Sequence, residues 1–174
     1  REAQEAADRE AEKEKRKWCY EIVIDKLEGT KYPQKVYEYL FKYAQYAVYE
    51  YNHYLNQGIY ILASGTLAQA FVEAGVEGRL SSLCSTHNNH FGIKCHLDWS
   101  GETFIHDDDL KNECFRKYIT VEESYLDHSR FLLSRNWYKP LFELKINDYR
   151  GWARGLKKAG YATDKHYAEK LIKI

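Results

Sequence analysis

The sequence is organised around Leu67-Ala-Gln-Ala-Phe-Val-Glu-Ala-Gly-Val-Glu-Gly78, an apolar, helix-forming run that carries Glu73 near its end. A carboxyl group among apolar side chains has a raised pKa, because such surroundings penalise its ionised form. A glutamic acid of this kind stays protonated near neutral pH and can donate its proton during bond cleavage. The alternative is a solvated glutamate at a helix C-terminus, which is commoner. The rest of the sequence decides between the two interpretations.

Composition limits the class of protein. The chain has 174 residues, enough for one domain, or one domain plus an extension, with a buried core. Its 26 basic and 26 acidic residues give no net charge, which argues against nucleic acid as the main partner. Sixteen tyrosines and four tryptophans supply rings with a polar edge, which suit sugar faces as well as helix flanks.

Apolar stretches are short throughout the sequence. None approaches the roughly 20 residues of a membrane span, and the first residues do not form the apolar core of a secretory signal. We therefore expect no membrane span in this chain. It is then either cytosolic or exported by a signal outside this sequence.

The four cysteines, Cys19, Cys84, Cys95 and Cys114, contain no C-x-x-C pair. A zinc site or a thioredoxin-type motif is therefore not indicated, and the histidines show no regular ligand spacing, so we assign no metal and no cofactor. Cys95 and Cys114 flank a predicted hairpin. A disulfide between them would close a loop worth about 3 kcal/mol in the chain-entropy model, and two buried free thiols are the alternative.

Two composition shifts divide the chain. Residues 1–17 are mostly Ala, Glu, Lys and Arg, which is typical of a solvated helix or a frayed arm, and apolar residues begin at Trp18. Gly and Pro interrupt the pattern between Glu28 and Pro33. We predict a charged helical arm or linker over residues 1–33 and one domain over residues 34–174.

Periodicity within that domain is mainly helical. It predicts an amphipathic helix over Gln34–Leu55, and a helix carrying Glu73 that Ala63 or, better, Ser64 caps. Thr120 and Glu123 form a capping-box pattern before a helix over Val121–Leu132. Two more helices are predicted over residues 148–159 and 164–174, a loop over 83–90, and a hairpin from strands 102–107 and 113–119. The expected fold class is α+β and mostly α, with one small antiparallel element.

Five ordered motifs carry a family resemblance: Leu67–Gly75, Asn88–Cys95, Glu113–Tyr118, Glu122–Ser129 and Ala159–Asp164. Together they resemble those of bacterial peptidoglycan endo-beta-N-acetylglucosaminidases, a family that includes flagellar-type cell-wall hydrolases. The resemblance runs from about Ile61 to the C-terminus. It implies a lysozyme-like fold, with a helical lobe and a β-hairpin lobe on either side of a groove for a glycan strand.

The same resemblance implies a function. Members cleave the β-1,4 bond between N-acetylglucosamine and N-acetylmuramic acid, so the expected partner is the glycan strand of peptidoglycan and the expected location is periplasmic or extracellular. The N-terminal arm is expected either to pack back on the domain as a helix or to be the end of a linker from other domains fused N-terminally. A lytic transglycosylase on the same fold and a non-catalytic wall-binding module are the alternatives. Family members usually have Ser-Gly directly after the catalytic glutamate, whereas this chain has Ala74-Gly75 and a longer loop to Ser81.

Catalytic candidates follow residue by residue. Glu73 falls on the family's general acid, and Tyr161 falls on a tyrosine near the cleavage point, although it can instead pack the last two helices together. A second carboxylate would come from Asp107, Asp108 or Asp109, of which strand alternation aims Asp107 and Asp109 to one face. A solvent-facing hairpin tip is the alternative for each, and a reaction assisted by the substrate's N-acetyl group needs none of them.

Binding candidates lie in and after the second motif. Asn88, Asn89 and His90 offer donors for sugar hydroxyl and N-acetyl groups, while Phe91 and Trp99 offer rings to sugar faces. Phe91 has the alternative of a core residue, because Phe-Gly-Ile is an apolar run.

Overall fold

The computed structural model describes residues 3–7, 33–75 and 81–174. Residues 3–7 are helical. The predictions for the rest of the N-terminal arm, for Cys19 and for the loop that carries Glu77 lie outside the described residues.

The remaining elements follow one another in a simple order. They are α1 (Gln34–Leu55), α2 (Ala63–Glu73), α3 (Ser82–His87), β1 (Thr103–His106), β2 (Glu113–Arg116), α4 (Val121–Leu133), a 3₁₀ helix (Asn136–Glu143), α5 (Tyr149–Lys158) and α6 (Tyr167–Lys173). The predicted fold class, α+β and mostly helical with one antiparallel hairpin, is confirmed.

Local sequence signals set several of these bounds. The amphipathic pattern over Gln34–Leu55 gives α1 with the predicted ends. The capping box before α4 is also confirmed, since the Thr120 hydroxyl accepts from the Glu123 N–H and the Glu123 carboxylate accepts from the Thr120 N–H. The predicted cap of α2 is wrong. Leu62 occupies that position with an extended backbone and no side-chain cap, so Ala63 and Ser64 already belong to the first turn.

Two helices were not predicted. The segment expected to be a loop contains α3, which Ser81 caps by accepting from the Cys84 N–H at 3.3 Å. The 3₁₀ helix over Asn136–Glu143 includes Pro140 and buries Tyr138 and Leu141. Both elements are short, so they bury few apolar residues and leave no helical period in the sequence.

Helix α2 is the centre of the packing. Its residues 65–71 are all buried, and it contributes to both hydrophobic clusters of the described chain. One cluster joins α2 to α1 and Tyr125, and the other joins it to α5 and α6. A Cβ at Gly65 would lie 2.8 Å from the Trp152 ring, so glycine permits the close approach of α2 and α5. The helix that carries Glu73 is therefore held on all sides.

The hairpin pairs β1 with β2 in antiparallel register from Thr103 opposite Arg116 to His106 opposite Glu113. A disulfide joins Cys95 to Cys114, and Lys94 forms an isolated bridge with Phe115. Both tie the end of the second motif to β2. The strands are shorter than predicted, because pairing ends at His106 and Arg116.

A buried ion pair fixes the hairpin to the helical part. Arg116 is 1% exposed, and its guanidinium donates to Asp127 of α4 at 2.9 Å and to Asp98 at 2.8 Å. Tyr118 donates a further 2.6 Å hydrogen bond to Asp127. Because each buried charge has a partner, the hairpin is held in one orientation.

Within the described ranges, no helix has the length and apolar character needed to cross a membrane.

Candidate active site

A groove of about 1120 Å³ passes between the hairpin and the helical part of the protein. Its wall includes the end of α2, the Phe91–Asp98 segment, the hairpin turn, the region around the 3₁₀ helix, and the Ala159–Asp164 loop. Charged, aromatic and apolar side chains all contribute to it. A groove of this size and mixed lining suits an extended polar ligand.

Glu73 ends α2 and reaches this groove. The Tyr167 hydroxyl donates a 2.6 Å hydrogen bond to Oε1 of its carboxylate. Burial raises the pKa of Glu73 from 4.5 to about 7, the hydrogen bond from Tyr167 lowers it, and the charge of Asp108 raises it. Near neutral pH, this carboxyl therefore exchanges between its protonated and ionised forms, as a general acid requires.

Two tyrosines surround the carboxyl group. The Tyr167 hydroxyl accepts from Nε2 of the buried Gln69 at 3.2 Å, which fixes the direction of its own donation to Glu73. The Tyr161 ring stacks on Tyr167 with centroids 6.0 Å apart, and its hydroxyl donates to the Phe91 carbonyl at 3.2 Å. Burial raises the pKa of both phenols well above the ordinary value, so both keep their protons. Tyr161 thus lines the groove and also packs against α6.

Gly92 lies beside the other carboxylate oxygen of Glu73. It adopts a φ of 61°, in the left-handed region that favours glycine, and a Cβ there would lie 3.8 Å from Oε2 of Glu73. A side chain at this position would therefore contact that oxygen. Sequence reasoning did not single out Gly92 or Tyr167.

The three aspartates of the hairpin turn do not face the groove in the predicted pattern. Asp108 and Asp109 both line the groove, whereas Asp107 accepts a 2.8 Å hydrogen bond from the Asn112 N–H within the turn and is not part of the groove wall. The expected alternation is wrong because pairing stops at His106, before the three aspartates. Asp108 lies 3.6 Å from Nζ of Lys94, which also binds Glu113 at 2.6 Å.

The predicted binding asparagines are placed in the scaffold. Asn88 caps α3 with a φ of 54°, and its amide donates to the carbonyls of Tyr118 and Ile119. Asn89 is 1% exposed and its amide donates to the carbonyls of Ile93 and Arg116. Neither amide faces the groove, because each supplies hydrogen bonds that the turns around it lack. Both amides are committed to the scaffold in this structure, and direct sugar contact stays a prediction.

His90 and Trp99 both contact other parts of the scaffold. His90 is buried, lies 2.7 Å from the Tyr39 hydroxyl, and has its pKa lowered to about 4 by burial, so it is neutral. The Trp99 indole donates to the Glu102 carbonyl at 2.9 Å and carries the Arg116 guanidinium over its ring. Neither is part of the groove wall, and sugar contact by either residue stays a prediction.

Phe91 combines its two predicted roles. Its ring is buried and stacks on His128 with centroids 4.0 Å apart, which is the core alternative. Phe91 still belongs to the groove wall, where its carbonyl holds Tyr161.

Among the residues described, no three His, Cys, Asp or Glu side chains are grouped to hold a metal ion.

Comparison with known proteins agrees with this geometry. A protein-family model for glucosaminidases, described as mannosyl-glycoprotein endo-beta-N-acetylglucosaminidase, matches residues 49–174. The chain is 32% identical over 117 residues to the peptidoglycan hydrolase FlgJ of Vibrio parahaemolyticus, covering 62% of this chain and 38% of that protein. It is 34% identical over 131 residues to the exo-glucosaminidase LytG of Bacillus subtilis, covering 69% and 45%.

A solved structure supports the fold. The glycoside hydrolase domain of FlgJ from Salmonella typhimurium superposes with a TM-score of 0.60 at 25% identity, covering 79% of this chain and 84% of that one. The chain spans less than half the length of the two relatives compared by sequence.

Proposed function

Since the chain belongs to the glucosaminidase family, whose model matches residues 49–174, we propose that it hydrolyses the β-1,4 bond between N-acetylglucosamine and N-acetylmuramic acid in peptidoglycan. The relatives named as a peptidoglycan hydrolase and an exo-glucosaminidase support this substrate. A cell-wall substrate also implies a periplasmic or extracellular location.

One observation carries the proposal. Glu73 lies in the groove with a pKa raised to about 7 by burial, and Tyr167 holds Oε1 at 2.6 Å, which leaves Oε2 on the side of Gly92. Cleavage of a glycosidic bond needs a protonated carboxyl next to the leaving oxygen while positive charge develops on the sugar. In the proposed reaction, protonated Glu73 transfers its proton to the glycosidic oxygen as the bond to the anomeric carbon breaks.

A second group must stabilise the positive charge that develops on the sugar or orient the water that attacks it. We assign this role to Asp108, because it lines the same groove as Glu73 and its negative charge raises the pKa of that carboxyl group. Lys94, at 3.6 Å, holds Asp108 from the hairpin side. The Asp108 carboxylate then stabilises the charged sugar or orients the water that attacks it. Asp107 is left out of the mechanism because it is bound within the turn.

Tyr161 has a positioning role in this proposal. Its hydroxyl is committed to the Phe91 carbonyl, so its ring, rather than its proton, faces the reacting sugar. The stacked pair Tyr161 and Tyr167 forms an apolar wall beside Glu73, which contributes to the burial that raises the pKa of the carboxyl.

The products test the reaction. Purified peptidoglycan digested with the chain and reduced with borohydride should yield fragments that end in reduced N-acetylglucosamine, as seen by mass spectrometry. Reduced N-acetylmuramic acid ends would contradict the proposed bond, and anhydro-muramic ends would identify a transglycosylase instead. The size of the first fragments separates internal from terminal cleavage, because an endo-acting enzyme releases long fragments early.

A further inference from the structure

Trp137 is a large aromatic side chain left open in the groove wall. It is the second residue of the 3₁₀ helix and 60% exposed, and Leu97, which is fully exposed, lines the same groove. Single exposed apolar residues are common on protein surfaces, but both of these line the groove, where a ligand can cover them. Neither residue was among the sequence-based binding candidates.

A row of aromatic rings connects Trp137 to the catalytic region. It starts at Tyr167, the hydrogen-bond partner of Glu73, and passes to Tyr161 at 6.0 Å between centroids. It continues to Tyr138 at 6.1 Å and ends at Trp137 at a further 6.1 Å. Trp137 therefore faces the same groove as Glu73 but stands three ring-to-ring steps from the partner of that carboxyl. A ligand part that contacts Trp137 is not the part that contacts Glu73.

Fixed polar groups lie in the same part of the wall. The Asp98 carboxylate accepts from the Arg135 guanidinium at 3.3 Å on both oxygens and from Arg116 at 2.8 Å. The Arg135 guanidinium itself rests 3.6 Å above the Phe131 ring. These contacts hold a carboxylate and a guanidinium in place before any ligand arrives, and both remain part of the groove wall. A pyranose ring offers what this arrangement recognises, namely an apolar face for an indole and hydroxyl groups around its edge.

We propose that Trp137, Asp98 and Arg135 form a glycan subsite that holds a sugar unit of the strand away from the bond being cleaved. The inference rests on the proposed function, because it takes the ligand of the groove to be a glycan strand. Trp137 stacks on the apolar face of one sugar ring, and the Asp98 carboxylate, which is 48% exposed, accepts hydrogen bonds from its hydroxyl groups. Arg135, which is 11% exposed and also donates to the Phe131 carbonyl and to Ser134, holds Asp98 in place. The subsite makes affinity depend on strand length, since only a strand long enough to reach Trp137 gains the contact.

Binding measurements without cleavage test the subsite. In the Glu73→Gln background, isothermal titration calorimetry with peptide-free glycan strands of increasing length should show affinity rising with length. Adding Trp137→Ala should weaken binding of the long strands about two- to tenfold, up to about 1.4 kcal/mol, and remove the length dependence. Trp137→Phe, which keeps a ring, should restore most of the loss.

A matched control is available in Tyr60, which is 54% exposed and not part of the groove wall. Tyr60→Ala should bind strands of every length like its parent, and unchanged melting temperatures show that the variants are folded. The proposal of a subsite is wrong if Trp137→Ala binds glycan strands of every length with the affinity of its parent. It is also wrong if the substitution weakens binding only of strands that carry stem peptides. Cleavage by the wild-type chain, assayed in parallel, tests the proposed function separately. Length-dependent binding through Trp137 without any cleavage would overturn the hydrolase and leave the subsite standing.

Discussion

The hydroxyl of Tyr167 donates a 2.6 Å hydrogen bond to Oε1 of Glu73, although the two residues are 94 positions apart in the sequence. The donor lies in the last helix and the acceptor at the end of the central one. Donation to a carboxylate stabilises its ionised form, so this contact opposes the effect of burial on the pKa of Glu73. Burial is the larger effect, so that pKa is about 7, with the charge of Asp108 raising it further and the charge of Lys170 lowering it.

Replacing Tyr167 with phenylalanine tests this balance. Without the hydroxyl, the ionised form of Glu73 loses its stabilising donor and the pKa of the carboxyl rises further. The alkaline limb of the pH–activity profile should therefore move upward by about one pH unit. Initial rates of wall-suspension clearing between pH 4 and 9 give the profile, with Tyr60→Phe as a control that keeps the wild-type curve. A limb that stays in place, or moves down, would contradict the assignment.

The free energy of unfolding should depend on pH because of the same raised pKa. The pKa of Glu73 is about 7 when folded and near 4.5 when unfolded, so the folded chain binds more protons between these values. The free energy of unfolding therefore contains a contribution that is complete below about pH 4.5 and is lost as the pH rises through about 7. Its size is roughly 3 kcal/mol. Urea unfolding of the wild type and of Glu73→Gln should give curves that diverge over this range, with the variant gaining relative stability. Two parallel curves would show that the carboxyl is not buried as described.

The proposed role of Asp108 can be tested by comparing its substitution with the same substitution at Asp107. Asp108→Asn keeps the shape of the side chain but removes its charge, so the rate of cleavage should fall about 100-fold or more. The same change should lower the pKa of Glu73, because the charge of Asp108 raises it. Asp107→Asn keeps the acceptor for the Asn112 N–H and should reduce the rate far less. A wild-type rate in Asp108→Asn would exclude its role and favour assistance by the substrate's N-acetyl group.

The buried ion pair between Arg116 and Asp127 should stabilise the position of the hairpin. Arg116→Met leaves a carboxylate that is 4% exposed without its main partner, and we expect a loss of about 3 kcal/mol in the free energy of unfolding. Arg130→Met is a matched control, since Arg130 pairs with the same carboxylate but is 65% exposed. Its loss should be at most about 1 kcal/mol. Equal losses in urea denaturation would contradict the special role of the buried partner.

Local patterns predicted the parts of the fold that depend on local interactions. The apolar spacing in Gln34–Leu55 is sufficient to define α1, and Thr120 with Glu123 is sufficient to define the start of α4, because both signals lie within a few residues. The position of Glu73 at the end of an apolar helix is also visible in the sequence. The rest of the site depends on contacts between distant segments. No local pattern pairs Tyr167 with Glu73.

The differences from the predictions have the same origin. An asparagine offers the same amide to a sugar and to a backbone carbonyl, so sequence alone could not show that Asn89 is bound to Ile93 and Arg116. The end of strand pairing at His106 decides which aspartates face the groove, and that end is set by the tertiary packing of the hairpin. Trp137 was missed because a lone tryptophan in a short 3₁₀ helix carries no periodic signal.

The most direct test of the account compares the wild type with Glu73→Gln on purified peptidoglycan. The variant keeps the size of the side chain and its hydrogen-bonding capacity toward Tyr167 but has no proton to donate. We predict that the wild type releases fragments with reduced N-acetylglucosamine ends, whereas the variant releases none while still sedimenting with the insoluble wall. Fragment release by Glu73→Gln at the wild-type rate would contradict the assignment of Glu73 as the general acid.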